Sequence, residues 1–124
     1  MTTSLRTLAV AVALVAAVVV AHAQNAAVGE WDLTTVSPEG TSTSQVVIRQ
    51  EGETLVAVGK SPRGERPYDR IEVKGDRITL VVTISYNGSP MVITYSGQVG
   101  KDGMGGDADF GGLATGSWSA VAHK

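Results

Sequence analysis

Turn chemistry recurs along this chain at intervals of roughly 10 to 14 residues, and no other feature limits its fold so tightly. The signals are Ser37-Pro38-Glu39-Gly40, Glu51-Gly52, Ser61-Pro62-Arg63-Gly64, Lys74-Gly75-Asp76, Asn87-Gly88, Gly100-Lys101-Asp102-Gly103 and Gly111-Gly112. Each supplies Gly or Asn where a positive φ is needed, or Pro where the chain must reverse. Each interval accommodates one strand and a short hairpin loop. Seven turns imply eight strands.

Between the turns, apolar residues alternate with polar ones as a half-buried strand requires. Trp31 and Leu33 alternate with Glu30, Asp32 and Thr34, and Val46 and Ile48 alternate with Gln45 and Arg49. Leu55 and Ala57 mark a third strand, Ile71 and Val73 a fourth, and Ile78, Leu80, Val82 and Ile84 a fifth. Ile93, Tyr95 and Val99, then Met104 and Ala108, then Trp118 and Ala120, complete the set. No helix signature interrupts it. Short connections favour a single eight-stranded antiparallel up-and-down barrel over a sandwich with long Greek-key crossings. Gly59, Gly97, Gly106 and Gly116 share the inward parity, which suits tight coiling and offsets the bulk of Trp31, Tyr95 and Trp118.

The hydrophobic share of 43% overstates how greasy this domain is, because an apolar run from Leu8 to Ala21 contributes much of it. That run follows Arg6 and ends in Ala21-His22-Ala23, the pattern of a signal peptide spanning 1–23, cleaved after Ala23. It is shorter than the roughly 18 to 20 residues of a membrane-spanning helix. The reading is an exported chain, periplasmic or secreted, with a short lead at 24–28 and a barrel domain at 29–124. With no cysteine anywhere, neither disulfides nor lipoprotein processing is open to it. Stability must come from packing and sheet closure. The exported part carries nine basic and twelve acidic residues, and their scatter argues against nucleic acid as a partner.

The opening Gly29-Glu30-Trp31-Asp32-Leu33 resembles the G-x-W start of calycin barrels, the group of lipocalins, avidins and small periplasmic protease inhibitors. Together with Ser61-Pro62, Tyr95-Ser96-Gly97-Gln98-Val99 and Gly116-Ser117-Trp118, it also resembles a small bacterial secreted β-module, found alone or as the tail of exported hydrolases. The resemblance implies a barrel that binds a ligand or a protein. It does not imply biotin, because the position where avidins place a binding Asn is Leu33 here. The chain has no room for a lipocalin lid and helix. The segment Gln24 to Val28, which would correspond to the arm of the inhibitors, is short and bland.

Catalytic constellations are sparse. The exported part has one histidine, His123, beside the C-terminus, where a frayed end would hold a general base poorly. The carboxylate pairs Glu51 with Glu53 and Asp107 with Asp109 sit beside turns and read as solvated hairpin ends. Asp102, Asp107 and Asp109, spaced by flexible glycines, are the calcium candidates, set against an ordinary strand whose acids face outward. Arg63, Arg66 and Arg70 form the densest charge cluster. They are candidates for a partner or anion contact, against the alternative of a mixed-charge hairpin. Trp31, Leu33, Tyr95 and Trp118 either line an apolar pocket or fill a narrow core.

The expectation is a non-catalytic module without a cofactor, binding a small apolar or amphipathic ligand inside the barrel. The alternative is a structural or protein-interaction module, protease inhibition included, with a filled core. The two differ in whether a cavity reaches solvent between Trp31, Tyr95 and Trp118.

Overall fold

The computed structural model describes residues 26–124. The expected signal peptide and its cleavage site lie outside the described residues. The alternating segments form nine strands: β1 (Gly29–Ser37), β2 (Gly40–Glu51), β3 (Thr54–Ser61), β4 (Gly64–Pro67), β5 (Arg70–Lys74), β6 (Arg77–Tyr86), β7 (Ser89–Val99), β8 (Met104–Phe110) and β9 (Ala114–Ala122). They make one antiparallel sheet in the order β4-β3-β2-β1-β9-β8-β7-β6-β5. The sheet is strongly curled into a half-barrel. Each expected turn joins two neighbours, and Gly40, Gly52, Gly64, Gly75, Asn87, Gly88, Gly103, Gly111 and Gly112 all take positive φ there.

The concave face carries the core. Leu33, Val46, Ile48, Ile78 and Leu80 are the largest fully buried side chains, with Trp31, Ala57, Val82, Ile93, Tyr95, Met104, Ala108, Phe110, Trp118 and Ala120 around them. The small residues on this face have a visible use. Trp118 stands opposite Gly106 on β8, and Gly106 stands opposite Gly97 on β7. The Trp118 indole N–H reaches the Ser96 carbonyl of β7, 3.1 Å away. A Cβ on either glycine would fall on the facing backbone: on the Gly105 carbonyl oxygen from Gly97, and on the Ser96 carbonyl oxygen from Gly106.

The closed eight-stranded barrel expected from the turns is corrected to nine strands without a complete closing ladder. The expected fourth strand divides at Tyr68-Asp69. Its first part, β4, pairs with β3; its second, β5, pairs with β6. Successive amides at the break point opposite ways, Tyr68 N–H to the Ala57 carbonyl and Asp69 N–H to the Val81 carbonyl, both 2.8 Å. Parity explains the break. Tyr68 lies beside the buried Ala57, whereas Ile71 and Val73 pair with the buried Leu80 and Ile78, so the inward set changes from even to odd positions. One residue beyond regular alternation is accommodated there, as in a bulge, and the strand bends from one partner to the other.

Candidate functional site

Of the expected interior residues, Trp31, Leu33, Tyr95 and Trp118 all lie buried on the concave face. Their polar atoms find partners within the chain. The Trp31 indole N–H donates to the Ala27 carbonyl at 2.9 Å, so the lead segment that looked bland supplies a buried contact. The Tyr95 hydroxyl lies 3.4 Å from that of Thr35, and its ring meets Trp118 edge to face with centroids 5.7 Å apart. Burial pushes the Tyr95 phenol up, and the Thr35 hydrogen bond partly opposes this. Tyr68, which lies between Arg66 and Arg70 of the charge cluster, packs against this core. Burial, and then the nearby Tyr95, push its phenol further up.

Antiparallel order sends the β1–β2, β3–β4, β6–β7 and β8–β9 turns to one end of the half-barrel. This end is the mouth. An open pocket of about 240 Å³ lies there, lined by Ser37, Pro38, Glu39, Tyr86, Met91, Phe110, Leu113 and Ala114. Its floor is Phe110, and Leu113, 79% exposed, stands on its rim. The Tyr86 hydroxyl donates to the Glu39 carboxylate, joining the end of β6 to the β1–β2 turn across the pocket. That bond, followed by the carboxylate's charge, raises the Tyr86 phenol above its ordinary range. None of these eight residues stood out in the sequence as a site. The available signal was Leu113, an apolar residue directly after Gly111-Gly112 in a turn that polar chemistry would have served.

No family model, curated protein or solved structure matches the chain.

The three arginines do not converge. Arg63 sits in the β3–β4 turn at the mouth, and Arg66 donates to the Thr83 carbonyl of β6 at 2.9 Å. Arg70 lies beyond the Tyr68-Asp69 break, near a Glu72 carboxyl whose pKa is lowered mainly by its ion pair with Lys74 at 2.9 Å and only slightly by Arg70. The Thr83 hydroxyl in turn donates to Asp69 at 2.6 Å, so Arg66 and Asp69 brace the gap between β4 and β6. Asp107 and Asp109 are exposed on β8, and Asp102 is in the loop before it. Among the described residues, no three acidic or histidine side chains come together as a metal cluster. Glu51 and Glu53 are exposed at the β2–β3 turn. His123 differs from expectation. Its amide donates to the Glu30 carbonyl at 2.9 Å, and its Nδ1 lies 2.8 Å from Asp32, so the chain end is pinned rather than frayed.

Proposed function

We propose that this protein is an exported, non-catalytic binding module whose mouth pocket receives a small apolar or amphipathic ligand. The observation that carries this reading is the open, mainly apolar pocket itself, with an exposed leucine on its rim. Ligand sites are concave and apolar with a few placed polar groups, and a volume of about 240 Å³ suits a small molecule rather than a lipid-sized one. The site moves outward from the interior first expected, because the Tyr95 and Trp118 rings already pack on each other and the polar atoms of Trp31, Tyr95 and Trp118 are taken by the chain's own groups. The G-x-W opening of β1 is in keeping with a calycin-type binder.

The test is a titration with 1-hexanol followed by methyl and indole NMR. The expected result is saturable shifts at Leu113 and Met91 with the Trp118 indole signal unmoved, and at least tenfold weaker binding in Leu113→Ser. Absence of any mouth shift up to the solubility limit would overturn it. The packing of Tyr95 on Trp118 favours a second reading, a protein-interaction module with a filled core, which would then stand in its place.

A further inference from the structure

The charge around the mouth pocket is uneven, and this bears on which amphipathic molecule fits. Among its eight lining residues, Glu39 is the one charged group, and no lysine, arginine or histidine joins it. Two aromatic rings, Tyr86 and Phe110, and the Met91 thioether supply the rest of the recognition surface. The Tyr86 hydroxyl occupies one carboxylate oxygen, Oε1, and fixes the group over the pocket. A carboxylate has lone pairs for further donors, so its second oxygen is free to accept one.

We propose that the ligand of this pocket is a small organic cation, an apolar chain or ring bearing an ammonium group, bound with the apolar part on Phe110 and Leu113 and the ammonium at Glu39 and the Tyr86 ring. The proposal rests on the pocket being the binding site, as set out above. Three parts of the geometry meet in it. A carboxylate attracts the cation, an aromatic face attracts it through the ring quadrupole, and an apolar floor takes the remainder. A carboxylate ligand would meet Glu39 as a like charge and would find no cation in the lining. Two basic side chains, Arg63 in the β3–β4 turn and Lys60, opposite Glu65 near the end of β3, could offer a counter-charge instead. Both are at the same end of the half-barrel and outside the pocket lining.

The experiment compares three six-carbon probes on the purified chain: hexylammonium, 1-hexanol and hexanoate, followed at the Leu113 and Met91 methyls. Exposed ion pairs and cation–π contacts are individually modest, so hexylammonium is expected to bind about five- to tenfold more tightly than 1-hexanol, with hexanoate weakest. The advantage should shrink as salt is raised, and Glu39→Gln should erase the difference between ammonium and alcohol. Arg63→Gln should leave the ordering as it is. If hexylammonium and 1-hexanol bind alike, or hexanoate binds best, the cation proposal is overturned while the pocket stands. If none of the three moves the mouth signals, the pocket reading falls with it.

Discussion

One buried phenol, Tyr95, and one half-buried, Tyr68, shape the behaviour of this protein at high pH. Tyr68 and Tyr95 both have folded-state pKa values raised by burial above the ordinary value near 10. Above that value the unfolded chain loses phenolic protons that the folded chain keeps, so folding stability is complete below about pH 10 and falls as pH rises further. The expected slope is up to about 1.4 kcal/mol per pH unit for each phenol that stays protonated in the fold. Urea midpoints from pH 8 to 11.5 would show it, and Tyr68→Phe should make the slope shallower. An unchanged slope in that variant would mean that Tyr68 titrates alike in both states. Residue-level reading of the sequence did well with Trp31, Tyr95 and Trp118, whose strands alternate cleanly. Tyr68 gives no such sign, because Arg66, Asp69 and Arg70 surround it and mask a single inward-facing ring. His123 was misjudged for a different reason. Its partners, Glu30 and Asp32, are distant in sequence, and nothing local announces them.

The strands are legible through their boundaries, since glycine, asparagine and proline mark seven of the eight connections. The eighth, at Tyr68-Asp69, follows Pro67 but has no glycine or asparagine, and the chain does not reverse there. It bends and changes partner, and only the phase of the alternation, even at Tyr68 and odd at Ile71 and Val73, betrays it. Packing between strands also gives the inner glycines a role that turn chemistry does not. Gly106→Ala would drive a methyl group into the Ser96 carbonyl on β7 and disturb the path of the Trp118 indole across both strands. The expected cost is at least about 2 kcal/mol, read as a lowered denaturant midpoint with altered near-ultraviolet dichroism. Gly88→Ala, in an open turn, would strain one positive-φ position and leave that dichroism unchanged.

At the scale of the whole molecule, the sheet is a series of hairpins held together by one pairing between distant segments, β1 with β9. Hairpin pairs close short loops, whereas β1–β9 joins the two ends of the domain and carries the larger entropic cost. Leu33→Ala on β1 and Leu80→Ala on β6 should each destabilise by about 3 kcal/mol, since both side chains are fully buried. Their kinetics should differ. Leu80→Ala is expected to slow refolding, and Leu33→Ala mainly to speed unfolding, as stopped-flow fluorescence would resolve. Curling of the sheet was foreseeable from short connections and inner glycines. Incomplete closure was not, because it depends on one extra residue at a bend. The mouth site was hidden too, since it is assembled from three turns that approach one another only when the sheet curls.

The pinned chain end has a consequence for how this domain can be combined with others. His123 bonds to Glu30, so the start of the first strand and the end of the last lie side by side, at the end of the half-barrel remote from Glu39 and Leu113. Any polypeptide joined at either terminus, or the module inserted into a loop of a host, would sit on that far side. In a row of such units strung on one chain, no linker would need to cross a mouth pocket.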